Sequence, residues 1–284
     1  MAYITRFAPS PTGPLHLGHA YSAILAHDSA TRDNGTFLLR IDDLDQTRSR
    51  PEWEAQIFDD LSWLGLRWPQ PVLRQSDRLP LYAKALETLW DQGLLYPCSC
   101  SRADIRAAVS APQEGAPLHG PDGLIYPGTC RPVQPPTGPM PDSPLRLDMA
   151  RALARLGRAP AFTETGAGPD GETGLITPSD MTRTVGDVAL ARPGLGASYH
   201  LSVVVDDADQ QVSHVIRGRD LFSATQIHVL LQGLLGLPTP IYHHHRLIRD
   251  DNGKRLAKRD DARAIATYRA EGKTPRDIRA MLGL

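Results

Sequence analysis

The stretch that decides the fold lies near the N-terminus: "RFAPSPTGPLHLGHA", Arg6–Ala20. Just before and into it, residues Tyr3 to Ala8 read as a short strand, stopped by the Pro-Ser-Pro-Thr-Gly turn. From Leu17 to about Asp33, Ala20, Ile24, Leu25 and Ala26 can share the buried face of a helix. A strand entering a tight turn and then a helix is a ready anion site, because the free N–H groups and dipole of the helix N-terminus favour phosphate. Gly18 removes a side chain where a ligand would approach closely. His16 and His19, three apart on a first turn, face the same way. Two imidazoles placed so could donate hydrogen bonds to charge developing on a phosphoryl oxygen. A capped helix with two surface histidines is the plainer alternative, and this stretch alone does not decide between them.

Outward from there, "GTFLLRIDD" (Gly35–Asp43) reads as a buried strand opened by Asn34-Gly35. Helices are expected from Pro51 to Leu64, with Pro51 in the first turn, and from Leu79 to Gln92, stopped by Gly93. This alternation predicts an α/β fold with a parallel sheet and helices on both faces. Between about Pro97 and Pro144 glycine and proline crowd the chain and no regular period survives, as in an inserted subdomain held by something other than a core. "YHLSVVVDD" (Tyr199–Asp207) reads as a buried parallel strand ending at Asp206 and Asp207. "VSHVIRG" gives another strand, and "DLFSATQIHVLLQGLLG" a helix with Asp220 as N-cap. The internal run His243–His245 reads as a strand end beside a nucleotide more readily than as a metal site. "TPRDIRAMLGL" carries a helix start in Thr274, Pro275 and Asp277.

The 284 residues are 41% hydrophobic, ample for a core, and the formal charge of −1 gives no global sign of nucleic-acid binding. Any RNA surface must be a local patch. Three cysteines argue against a secreted disulfide framework. The N-terminus lacks a signal pattern and no apolar run is long enough to span a bilayer, so a cytoplasmic location is expected. Cys98 and Cys100 in "CSC" and Cys130 in "YPGTC" are thiols suited to zinc, which takes four ligands; three ordinary thiols are the alternative.

The second decisive element is "DDNGKRLAKRDD", Asp250–Asp261, a glycine-bearing loop with four cations. Lysines on such a loop suit holding and releasing a polyphosphate. With it the chain resembles the class I aminoacyl-tRNA synthetases: "HLGH" is similar to their HIGH signature and "RLAKR" to their KMSKS signature. "RFAPSPTGPLHLGHA", "LLRIDDLDQTRS", "YHLSVVVDD", "VIRGRDL" and "KRLAKRD", in this order, resemble segments of the glutamyl-tRNA synthetases and of their shortened relatives, the glutamyl-Q tRNA(Asp) synthetases. The likeness covers nearly the whole chain and thins in the Pro/Gly-rich insert.

That resemblance implies a Rossmann-like nucleotide-binding fold whose first half is residues 1–96, with an inserted zinc-binding region at 97–144. The rest of the insert and the second half would occupy 145–245, and the KMSKS-like loop with a short helical tail 246–284. Only about 26 residues follow Lys258, so no anticodon-binding domain is expected. It implies RNA-independent activation of L-glutamate with ATP and Mg2+, then transfer of glutamate to queuosine in the anticodon of tRNA(Asp). The alternatives are a shortened glutamyl-tRNA synthetase core or an inactive tRNA-binding module. No obligatory protein partner is evident.

By the same resemblance His16, Gly18, His19, Arg255 and Lys258 would bind ATP, with His16, His19 and Lys258 catalytic and Lys254 assisting. Ala257 stands where relatives carry a hydroxyl residue. Glutamate would be held by Arg6, Phe7, Ala8, Pro9, Ser10, Asp42, Tyr199 and Arg217, the arginines taking a carboxylate and Asp42 the ammonium. Asp42 stands where many relatives have glutamate. One structural Zn2+ would take Cys98, Cys100, Cys130 and either Tyr126 or His119. No Mg2+ ligands are assigned.

Overall fold

In a computed structural model that describes residues 2–109, 118–158, 160–192, 196–248 and 263–284, the opening stretch folds as its composition suggests. Strand β1 (Ile4–Phe7) leads through the proline-rich turn into helix α1 (Leu17–Arg32), and β2 (Thr36–Ile41) returns parallel to β1, pairing Ile4 with Thr36 and Phe7 with Leu39. Asn34 makes the corner at φ 51°, a left-handed conformation that Asn tolerates. Gly35 then passes so close to Tyr3 that a Cβ would lie 2.1 Å from the Tyr3 carbonyl oxygen. Helix α2 (Pro51–Trp63) starts on Pro51, short β3 (Leu73–Arg74) adds parallel to β2, and α3 (Leu79–Asp91) stops before Gly93.

The middle of the chain runs through β4 (Leu95–Pro97), α4 (Arg102–Val109), β5 (His119–Gly120), β6 (Gly123–Leu124), β7 (Leu145–Leu147) and α5 (Met149–Leu156). It continues through β8 (Phe162–Glu164), β9 (Gly174–Ile176), α6 (Met181–Thr184), β10 (Ala189–Arg192) and β11 (Gly196–Ala197). Helix α7 (Tyr199–Asp209), β12 (His214–Gly218), α8 (Thr225–Leu235), β13 (Ile241–His245), α9 (Ile265–Ala270) and α10 (Pro275–Leu282) complete it. Strands β4, β7, β10 and β11 form an antiparallel sheet in the order β11-β10-β7-β4, and its apolar side shares a core with α3, α5, α7 and α8. Strands β12, β13 and β8 are parallel, with β9 antiparallel at the edge.

This last sheet abuts the first. Ser213 N–H donates to the Ile4 carbonyl (2.9 Å) and the Ile4 N–H to Ser213 Oγ (2.8 Å). The joined order is thus β3-β2-β1 beside β12-β13-β8, with the strand direction maintained and the sequence order reversing between β1 and β12. In open α/β sheets a ligand crevice forms at such a switch, outside the carboxyl ends of the strands.

Three expectations are corrected. "YHLSVVVDD" is not a strand but most of α7, in which every residue from His200 to Asp207 is buried. A helix covered on all sides shows no amphipathic period, so the β-branched run Val203–Val205 imitates a buried strand. Asp206 and Asp207 therefore end no strand; they lie inside the fold on arginines. Asp220 does not cap α8, which begins at Thr225; it lies in a short 3-10 turn, Arg219–Leu221, before it. The region 97–144 is not without regular structure either, since α4 spans Arg102–Val109 with no residue buried. Its start is set locally: Ser101 and Asp104 hydrogen-bond each other's backbone N–H groups. The tail helix agrees with expectation, as Thr274 and Asp277 form the same reciprocal box and Pro275 opens α10. No helix among the described residues is long and apolar enough to cross a membrane.

Candidate active site

The carboxyl ends of β1 and β12 and the start of α1 enclose a cleft of about 380 Å³. Arg6, Phe7 and Ala8 enter it from β1, Asp42 from the end of β2, Tyr199 from the start of α7, and Arg217 from β12. His16, Gly18 and His19 form its wall at the N-terminus of α1. A second hollow of about 390 Å³ adjoins it, sharing Phe7, Ala8, His19 and Asp42 and adding Pro9 and Ser10. The described residues assigned to ATP and to glutamate from the sequence thus converge on one place.

The two histidines are both cap and candidate donors. His16 is the N-cap of α1; its Nδ1 accepts from Gly18 N–H (3.1 Å), and His19 Nδ1 accepts from His16 N–H (3.2 Å). The rings stack with centroids 3.8 Å apart. Because each Nδ1 is an acceptor, each neutral ring carries its N–H on Nε2. The capped helix and the pair of donors are one arrangement. Gly18 has a local cause as well, since a Cβ there would lie 3.0 Å from the His16 ring.

Arg6 and Asp42 are held by a buried ionic cluster that the sequence did not reveal. Arg6 Nε and Nη2 donate to the two oxygens of Asp207 (3.0 and 3.2 Å). Arg40, fully buried, donates to Asp207 (2.7 Å) and Asp42 (2.9 Å). Asp206 receives Gln75, Arg78 and Tyr82 at 2.8–2.9 Å. Burial raises the Asp42 carboxyl to about 6 despite the Arg40 charge beside it. Asp207 faces the same desolvation but lies below the usual range, because Arg6 and Arg40 more than offset it.

Ser22 and His245 also face the cleft. Ser22 Oγ lies 2.7 Å from His245 Nε2, and burial lowers that imidazole to about 4, so it is neutral at physiological pH. The histidine run did mark His245; nothing in the sequence distinguished Ser22 from other helix residues. Lys254, Arg255, Ala257 and Lys258 lie outside the described residues. The chain on either side adjoins the cleft: Leu247 and Ile248 line it, and Ala264 pairs with His16 while Ile265 N–H donates to the Leu15 carbonyl (2.9 Å).

A second cluster lies in the 97–144 region. The sulfurs of Cys98, Cys100 and Cys130 are all within 4.8 Å of one another. The Tyr126 hydroxyl is 3.4 Å from both Cys98 and Cys100 sulfurs. Zinc–sulfur bonds of about 2.3 Å on a tetrahedron set sulfurs about 3.8 Å apart, so the donor set fits zinc in chemistry and spacing. Arg146 Nε donates to Cys98 Sγ (3.2 Å), and its guanidinium lies 3.9 Å over the Tyr126 ring. His119, on the exposed strand β5, contributes no atom to this group.

Comparison with known proteins places this geometry. The profile of the tRNA synthetases class I (E and Q) catalytic domain matches residues 3–118 and 176–284. The glutamyl-Q tRNA(Asp) synthetase of Rhodobacter capsulatus is 63% identical over 283 residues, covering 99% of this chain and 100% of its own. That of Symbiobacterium thermophilum is 41% identical, covering 96% and 83%. The crystal structure of a glutamate tRNA ligase from Elizabethkingia meningosepticum, in complex with its amino acid, superposes with a TM-score of 0.74 at 27% identity. It is matched over 97% of this chain and 59% of its own, so the chain spans about three fifths of that enzyme. The chain belongs to the class I tRNA synthetases of the glutamate and glutamine branch, among the glutamyl-Q tRNA(Asp) synthetases.

Proposed function

We propose that this chain activates L-glutamate with ATP, without RNA, and transfers it to queuosine in the anticodon of tRNA(Asp). The observation that carries this reading is the convergence on one cleft of three charged side chains and a pair of imidazoles. Arg6, Arg217 and Asp42 offer two cations and one anion, the complement of an amino acid with two carboxylates and an ammonium. His16 and His19 stand beside them at a helix N-terminus, where phosphate is favoured.

In the first step the α-carboxylate oxygen of glutamate attacks the α-phosphorus of ATP. The bond to the bridging oxygen breaks, and pyrophosphate leaves with the electron pair. Catalysis of such transfer is mostly positioning and charge stabilisation. The Nε2–H groups of His16 and His19 donate to the phosphate oxygens as charge grows, and Lys258 holds the departing pyrophosphate with Arg255 and Lys254. Asp42 anchors the ammonium, and Tyr199 closes the pocket over the amino acid. In the second step a hydroxyl of the queuosine cyclopentene ring attacks the glutamyl carbonyl, AMP leaves, and the hydroxyl proton is lost to solvent or base.

Magnesium arrives with ATP and offsets phosphate charge. Cys98, Cys100, Cys130 and the Tyr126 hydroxyl would hold zinc, which would supply a crosslink for a segment with little apolar core. The division into a nucleotide-binding half at 1–96, a zinc region at 97–144, a second half to 245 and a tail from 246 goes with this reading. The test is transfer of labelled glutamate to tRNA(Asp) with and without queuosine, followed by mapping of the labelled nucleotide. Label on queuosine supports the proposal. Label on the 3′-terminal ribose of glutamate tRNA overturns it.

A further inference from the structure

Three arginines are buried around the cleft, and their partners differ in kind. Arg6 is paired in direct contact with Asp207, and Arg40 with Asp207 and Asp42. Arg217, 5% exposed, touches no carboxylate among the described residues. Its Nε donates to His244 Nε2 (3.0 Å), its Nη1 to His228 Nδ1 (3.3 Å) and the Tyr199 hydroxyl (3.5 Å), and its Nη2 to Thr225 Oγ1 (2.8 Å) and the Leu221 carbonyl (3.2 Å). Every acceptor is neutral, so the guanidinium is held in place without being discharged. Such a group is costly to bury, and a ligand carboxylate in the cleft would relieve that cost.

The acceptors are fixed by groups behind them. His244 must keep Nε2 unprotonated for Arg217, which requires its proton on Nδ1, and Nδ1 meets Glu164 Oε2 at 2.5 Å. His228 must keep Nδ1 unprotonated, and its Nε2 lies 3.1 Å from His200 Nδ1. The proton of His200 is then on Nε2, 3.4 Å from Asp122 Oδ1. Two relays therefore run outward from Arg217, one through His244 to Glu164 and one through His228 and His200 to Asp122. In both, each donor points away from the arginine, and a carboxylate appears only beyond at least one imidazole. Burial lowers the affinity of His228 and His244 for a second proton, which keeps both rings as acceptors.

We propose that Glu164, His244, His228, His200 and Asp122 are positioning residues that present Arg217 to the cleft oriented but uncompensated, so that the site selects an amino acid with a side-chain carboxylate over its carboxamide. This rests on the glutamate reading above and deepens it. A carboxylate exchanges the two longest contacts of Arg217 for charge-assisted bonds, whereas a carboxamide brings no charge and only one acceptor.

The experiment is ATP–pyrophosphate exchange with glutamate and with glutamine, on wild type, His228→Asp and His228→Asn. The aspartate sets a carboxylate directly on Arg217. We expect it to raise KM for glutamate by at least about 30-fold, with KM for ATP within about twofold and the glutamate-to-glutamine preference reduced. The neutral asparagine should recover most of the difference. Equal impairment of both variants, or an aspartate variant within about threefold of wild type in glutamate KM, overturns the proposal. Nitrogen NMR of the wild-type histidines is independent of activity: His244 is expected as the Nδ1–H tautomer and His228 as the Nε2–H tautomer. The opposite tautomer at either ring overturns the relays. A wild type that exchanges with no amino acid, but shows both expected tautomers, contradicts the functional reading and leaves the relays standing.

Discussion

Asp207→Asn removes one charge from the cluster that joins α7 to β1 and β2, and its cost can be worked from the contacts. Asp207 is 6% exposed and receives three hydrogen bonds from two buried guanidiniums at 2.7–3.2 Å. At an effective dielectric near 20 each charge pair attracts by about 4 kcal/mol, much of it offset by the desolvation of the groups involved. Asparagine keeps one acceptor oxygen but leaves Arg6 and Arg40 with a single adjacent anion fewer, and breaking a buried pair typically costs about 3–5 kcal/mol. With a urea slope near 3 kcal/mol/M, the unfolding midpoint should fall by about 1–1.7 M. Asp209→Asn is the control: it meets Arg78 at 2.6 Å, but its side chain is 53% exposed, so the expected cost is below about 1 kcal/mol. The Asp207 carboxyl is depressed in the folded state. Its contribution is therefore present above the unfolded value near 4 and lost as pH falls through the folded value. The gap between wild type and variant should close in acid. A variant within about 1 kcal/mol of wild type at pH 7, or an Asp209→Asn change as costly as Asp207→Asn, would refute the reasoning.

Three further outcomes are expected. Asp60 is 1% exposed, neither of its oxygens has a hydrogen-bond partner among the described residues, and burial followed by the Asp59 charge raises its carboxyl to about 7. Because the folded value is raised, stability falls as pH climbs from about 4 through 7; Asp60→Asn should add about 1–3 kcal/mol at pH 8 and little at pH 4, read by denaturant titration. With the Asp42 carboxyl raised to about 6 by burial, against the opposing pull of Arg40, KM for glutamate should rise steeply below pH 6, and Asp42→Asn should flatten that profile. Elemental analysis should find about one zinc per chain, lost in Cys100→Ser and Cys130→Ser; a metal-free, fully folded wild type would sink the zinc assignment.

How much of this was legible in the sequence follows from where each signal is local. The turn at Pro9–Gly13, the placing of His16 and His19 at the start of α1 and the Thr274–Asp277 box are set by neighbours along the chain, and these positions read correctly. The thiol trio was legible too, since C-x-C and a later cysteine are a chemical signal. Helix α7 was not, because burial on every side erases the period that separates helix from strand. The same error hid the ionic cluster: read on a strand end, Asp206 and Asp207 face solvent, whereas on α7 they reach Arg40 and Arg6. Arg40 itself reads as one charge in an apolar strand, and its three carboxylate partners come from residues 42, 206 and 207. The relays behind Arg217 join segments from 122 to 244, so no window of sequence contains them.

The most direct test is ATP–pyrophosphate exchange with the purified chain, glutamate, ATP and Mg2+ in the absence of RNA. Exchange that requires glutamate, and is not supported by aspartate or glutamine, is the result expected. Exchange driven by aspartate or glutamine but not by glutamate, or none until tRNA is added, would contradict RNA-independent glutamate activation in this cleft.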